Sequence, residues 1–150
     1  MLSVESHIAG SEKLTGIFGC WPSFHDAEVL AFDLWRGDIN SGEDQWEFPT
    51  VTAKLRVCDL TQEVGGDGYL VTRNHTLVTI RFSDVEEFRM EGFNHQNAIL
   101  SLKIERRERT DGPSPYYFID FNPAFGMGAT FHCHSVELLE AVSCPKNVQT

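Results

Sequence analysis

Two short runs hold the side chains best suited to chemistry: Ser23-Phe24-His25-Asp26-Ala27-Glu28 and Phe131-His132-Cys133-His134. An imidazole beside a carboxylate can act as a general base or join a metal site. On a strand, His132 and His134 share one face and Phe131 and Cys133 take the other, so the pair offers two nitrogens to one ion. A catalytic zinc usually takes three protein ligands, and His25, Asp26 or Glu28 are the candidates for the third. The same residues have plainer uses. Ser23 and Asp26 suit acceptance of hydrogen bonds from turn N–H groups. His25 suits a bridge to a neighbouring loop, Phe24 an anchor in the core, and an H-x-H pair the solvent face of a strand. Spacing leaves both readings open. No catalytic residue, metal or cofactor is expected; His25, Asp26, His132 and His134 form the alternative metal set.

Other templates are missing from the sequence. It contains no G-x-S-x-G, no H-E-x-x-H, no P-loop and no G-x-G-x-x-G. Cys20, Cys58, Cys133 and Cys144 form no C-x-x-C pair, which speaks against a zinc knuckle or a thioredoxin-type site. They read as reduced thiols, mostly small core residues, in a cytoplasmic protein. Met1–Gly10 lacks a basic end followed by an apolar run, so no signal peptide is expected, and no window is long and apolar enough to span a membrane.

The elements that must position these residues are mostly strands. Ser11, the stripe Leu14, Ile17 and Phe18, and Gly19 mark one short N-terminal helix. Period-two alternation then predicts a strand at about 27–36, with Leu30, Phe32 and Leu34 on one face. Val51, Ala53, Leu55 and Val57 mark the clearest strand. Others follow at Val78–Phe82, Phe88–Met90, Ala98–Ile104, Tyr117–Phe121 and Ala129–His134. Leu100 is placed on the same face as Leu102 and Ile104, and Glu86 and Glu87 on opposite sides of their strand. Val136–Val142 suits a helix or a strand, and its short length in a β context favours strand. Residues 37–49, 65–68 and 92–97 read as connections. The expected fold is one mostly β domain, with a minor helical part. About eight antiparallel strands would form a sandwich, an open barrel or one large curved sheet. Its 150 residues, 41% of them hydrophobic, suffice for a core without disulfide or metal.

The net charge of −10 speaks against nucleic-acid and anionic-membrane partners and favours a basic protein partner. Trp35, Glu43, Asp44, Trp46 and Glu47, in and beside the 37–49 connection, are the expected partner-binding surface: aromatic anchors with steering charges. The competing reading buries Trp35 and Trp46 as packing residues. Nothing in the sequence fixes an oligomeric state.

The run Trp21-Pro22-Ser23-Phe24-His25-Asp26-Ala27-Glu28-Val29, together with Gly92-Phe93-Asn94-His95-Gln96-Asn97 and Phe131-His132-Cys133, resembles a family of predicted immunity proteins. These belong to bacterial polymorphic toxin systems, and the family is catalogued as immunity protein fifty. The resemblance runs from about Leu14 to Pro145. It implies a small non-enzymatic cytoplasmic protein that binds and blocks a cognate protein toxin, and it supplies no catalytic residues. The acidic charge suits a basic toxin.

Overall fold

A computed structural model describes residues 3–38, 48–112 and 114–144. A 3-10 turn, Val4–His7, leads into helix α1, Glu12–Phe18. Gly19 ends α1 in the left-handed conformation, with φ 79°, its N–H donating to the Thr15 carbonyl. Ser11 stands at the N-cap without a side-chain cap bond. Eight strands follow. They are β1 (Glu28–Trp35), β2 (Thr50–Val64), β3 (Leu70–Ser83), β4 (Glu86–Glu91), β5 (Ile99–Arg107), β6 (Tyr116–Pro123), β7 (Gly128–Cys133) and β8 (Ser135–Ser143).

The strands form two four-stranded antiparallel sheets, ordered β1-β2-β3-β8 and β4-β7-β6-β5. Neither closes into a barrel; they pack face to face. Alternation explains which side faces in. Val51, Ala53, Leu55 and Val57 of β2 are buried, as are Val78, Ile80 and Phe82 of β3. The second sheet answers with Tyr117, Ile119 and Phe121 of β6 and Ala129, Phe131 and Cys133 of β7. Aromatic edges join the layers. Phe82 meets Phe131 at 5.1 Å and Phe121 at 6.0 Å between ring centroids, and Phe32 meets Phe121 at 5.0 Å, all near T-shaped.

Among the described residues, two of the four outer strands are covered along part of their edges. Ala9 pairs with β8: its N–H donates to the Val136 carbonyl and its carbonyl accepts from Leu138 N–H. The start of β1 and the turn before it lie on β5, with Asp26 N–H donating to Ile99 O and Ile99 N–H to Ala27 O. From there β1 runs across the second sheet until Leu34 reaches the β4 side. The two sheets therefore cross at a large angle.

The distal half of the β2–β3 hairpin projects past its neighbours. β1 pairs with β2 only as far as Arg56, and β8 pairs with β3 only from Thr76. Beyond these points lies a two-stranded ribbon. It is laced by Arg73–Glu63 at 2.8 Å and Asn74–Asp59 at 2.9 Å and closed by the glycine-rich turn at 65–68.

Three details of alternation differ from expectation, all at irregularities in pairing. In β1 the register shifts between Val29 and Ala31, so Val29 rather than Leu30 shares the inward face with Phe32 and Leu34. The register shifts between Ile99 and Ser101, so Ile99 is buried and Leu100 is 44% exposed, on the opposite side from Leu102. The register also shifts between Glu86 and Arg89, with Glu87 at φ 55°. Glu86 and Glu87 are thereby not split across the strand: both reach histidines of the outer face, Glu87 to His132 at 3.4 Å and Glu86 to His134 at 4.0 Å.

Candidate functional site

The Ser23–Glu28 run is a clasp between the sheets. Phe24 is 1% exposed and meets the Trp21 ring at 5.4 Å in a tilted arrangement, so it anchors the turn. Phe24 and Asp26 both hold left-handed backbone, φ 62° and 65°, which is uncommon outside glycine. Ser23 Oγ accepts the His25 N–H at 3.2 Å. The expected role of Asp26 as an acceptor of backbone N–H groups is not what its carboxylate does. It lies 3.2 Å from His25 Nδ1, with both side chains more than half exposed, while its own N–H donates to Ile99 O. The left-handed backbone aims the carboxylate outward, away from the turn's donors.

Glu28 finishes the clasp by accepting the backbone N–H of Asn97. Asn97, 3% exposed, is the hub. Its Oδ1 accepts from Asn94 N–H (3.0 Å) and Met127 N–H (3.2 Å), and its Nδ2 donates to Asn94 O (2.8 Å) and Val29 O (3.4 Å). Gly126 passes so close that a Cβ there would lie 2.0 Å from Gln96 O. The runs 21–29 and 92–97 are thus two halves of one buried hydrogen-bond network.

The histidines of the other run stand elsewhere. His132 and His134 share the outer face of the second sheet, as expected. His132 packs against Tyr116 at 5.3 Å and Phe118 at 5.5 Å. Arg109 lies over Tyr116 and pairs with Glu86, and Arg107 lies over Phe118. His132 sits opposite Phe118 on β6, whereas the turn bearing His25 and Asp26 sits on Ile99, opposite Pro123. Five residues of β6 separate the two places, about 17 Å of strand. The two clusters do not converge on one ion, and no group of three His, Cys, Asp or Glu among the described residues is arranged to hold a metal. Burial raises the Cys133 thiol pKa to about 12, which keeps it protonated and inert as a nucleophile. At the exposed Glu105, hydrogen bonds from Lys103 and then Arg107 hold the carboxyl below its usual pKa.

Among the described residues, exposed large apolar side chains form two groups, Val64, Tyr69 and Leu70 at the tip of the β2–β3 hairpin and Leu34, Trp35, Phe48 and Phe93 at the far end of β1, with Leu100, Phe125 and Val142 standing apart. Leu34 continues the inward face begun by Val29 and Phe32, yet it is 55% exposed, because the sandwich is open there. Trp35, on the other face, is 51% exposed. Phe48 and Phe93 are about as open. Between β1 and β4 lies a groove of about 990 Å³, with Leu34 on one side, residues 88–93 along the other, and Asp120, Phe121, Pro123 and 128–130 as its base and rim. Glu43, Asp44, Trp46 and Glu47 lie outside the described residues. Segments 33–38 and 84–91 carry six acidic and two basic residues, so this end is both apolar and negative. Sequence reasoning named Trp35 for this surface and passed over Leu34 and Phe93, whose only signal was an apolar residue next to a connection.

Comparison with known proteins gives one match. Residues 10–143 fit the family model described as Immunity protein 50, which covers most of the chain and includes both halves of the clasp and the groove. No curated protein and no solved structure matches.

Proposed function

The chain belongs to the immunity protein 50 family, and from that premise we propose that it neutralises a cognate protein toxin in the cytoplasm of the producing bacterium, by binding rather than catalysis. The observation that carries this reading is the open end of the sandwich, where Leu34, Trp35, Phe48 and Phe93 are exposed within an acidic surround. Large exposed side chains of this kind anchor interfaces once they are desolvated. Carboxylates around them speed encounter with a basic surface and exclude acidic ones. A toxin whose substrate is anionic has a cationic cleft, and an acidic cover fits it. In sequence, the segment 39–47 that follows carries Glu43, Asp44 and Glu47 and no basic residue.

The test is co-expression with the toxin domain encoded beside this chain. The wild type is expected to restore growth and to co-purify with the toxin. The double variant Trp35→Ala/Phe93→Ala is expected to fold normally and lose most of the protection. A wild-type chain that neither protects nor binds would sink the reading; a double variant that protects fully would move the interface elsewhere.

A further inference from the structure

The β2–β3 ribbon ends in side chains that its turn does not call for. The turn is closed by its own groups. Gly65 N–H donates to Tyr69 O at 2.8 Å, Gly68 N–H donates to Gly65 O at 3.1 Å, and Asp67 Oδ1 accepts Tyr69 N–H at 3.0 Å. Glycine and aspartate suffice for such a bend. Yet Val64, Tyr69 and Leu70 flank it and stand open to solvent. Tyr69, at 75%, is the most exposed large apolar side chain among the described residues. Val64 and Leu70 are opposite each other in the register, and cross-strand partners of this kind support a hairpin. That role accounts for the pair and leaves the apical Tyr69 unexplained.

The tip is also held in place. Thr61 Oγ1 donates to Val71 O at 2.7 Å and accepts Glu63 N–H at 3.2 Å. Below it, Arg73 and Asn74 tie the two strands together. Side chains presented on an ordered scaffold lose little freedom when they bind. β1 leaves β2 at Arg56, so Val57 to Val64 run on without it for roughly 25 Å. A two-stranded ribbon of that reach can enter a recess that the body of the sandwich cannot.

Charge selects the recess. Between Arg56 and Arg73 the only charged residues are Asp59, Glu63 and Asp67. Glu63 is paired with Arg73, and Asp59 accepts from Asn74. Asp67, at the apex, has no cationic partner among the described residues; its Oδ1 takes only the Tyr69 N–H. A second copy carries the same acids and the same net charge of −10. Nucleic acid and an anionic membrane would likewise meet like charge. A protein cleft with basic walls and an apolar floor suits all four side chains.

We infer that the hairpin tip is a second contact with the toxin, an inference that rests on the toxin-binding reading. Val64, Tyr69 and Leu70 enter the cationic cleft, with Asp67 against its basic wall. β2 has 15 residues, so the tip stands roughly 45 Å along the strand from the groove end. A toxin that meets both surfaces lies along the first sheet.

The experiment uses the full chain and the toxin domain encoded beside it. Hydroxyl-radical footprinting compares the chain alone with the complex, and Kd is measured for tip variants. Oxidation of Tyr69 and Leu70 is expected to fall at least tenfold in the complex. Tyr69→Ser/Leu70→Ser is expected to raise Kd at least a hundredfold. Asp67→Asn keeps the acceptor that closes the turn and removes the charge. It is expected to slow association severalfold at low salt and to leave it unchanged at high salt. A complex in which Tyr69 is oxidised as in the free chain overturns the inference and leaves neutralisation standing. So does a Tyr69→Ser/Leu70→Ser chain that binds with the wild-type Kd. Protection of Tyr69 that grows with the concentration of the chain alone makes a second copy the occupant and also overturns it. If the wild type forms no complex with the toxin, the neutralisation reading falls and the tip contact falls with it.

Discussion

The clasp and the groove end are built from similar residue types and use them in opposite ways. Around Asn97 the polar groups are turned on one another. Glu28, Asn94, Met127 and Val29 supply its partners, and Asn97 itself is buried. At the groove end the carboxylates and aromatic rings face solvent. A dense run of His, Asp, Glu and Ser invites a catalytic reading, yet most of the hydrogen bonds at the clasp are internal. The surface with capacity to spare has no recognisable motif. Partner satisfaction and exposure, more than residue type, separate a fold-holding polar cluster from a binding one.

Substitutions sharpen this contrast. At the clasp, Phe24→Ala empties a fully buried ring site and is expected to destabilise by about 3–5 kcal/mol in chemical denaturation. Asn97→Ala leaves the Asn94 and Met127 N–H groups without their acceptor and is expected to remove about 2–4 kcal/mol. Values near zero for both would dissolve the distinction, since the clasp would then be as dispensable as the surface.

The core between the two regions gives a smaller, pH-dependent effect. In the folded chain the Cys133 thiol has its pKa raised to about 12 from 9.0. Above pH 9 the unfolded chain releases a proton that the folded chain keeps. The contribution is therefore fully present below the unfolded value and is lost as pH rises toward the folded one. Relative to Cys133→Ala, the wild type is expected to lose about 1.4 kcal/mol on going from about pH 8 to about pH 10. Parallel pH profiles of the two proteins would show that the thiol is not shielded. Smallest of all is the effect at the groove end, where Trp35→Ala/Phe93→Ala should shift the denaturation free energy by no more than about 0.5 kcal/mol. A large loss there would make Trp35 and Phe93 packing residues and withdraw the contrast from the other side.

Much of the fold was legible because burial on one face imposes period two. Val51 to Val57 face the core as their alternation requires, and β8, Ser135–Ser143, is the strand that its β context favoured. The N-terminal helix was marked by its apolar stripe and by Gly19. Legibility ended at the irregular pairings. The shift at Ile99–Ser101 adjoins the point where Ile99 exchanges hydrogen bonds with Asp26 and Ala27, partners remote in sequence, and no local residue type signals it. The groove was hidden for a similar reason. It exists because the end of β1 comes to lie beside β4, and the apposition of two segments far apart in the chain leaves no pattern in either. The two motif runs were visible as motifs; that they meet each other at Asn97 was not.

The strand order also bears on how the chain is made. Every strand of the second sheet lies within residues 86–133, so that sheet has all its parts once Cys133 has been synthesised. The first sheet takes β1, β2 and β3 from the start and β8 from the end. Until residues 135–143 leave the ribosome, Thr76 to Ser83 of β3 wait with an unpaired edge that already carries Val78, Ile80 and Phe82. Nascent chains with such edges are prone to mispair with their neighbours. A stall or truncation just before β8 would release this protein as a sticky half-sandwich, whereas the loss of a few residues from the glycine-rich hairpin tip would leave the closing strand in place.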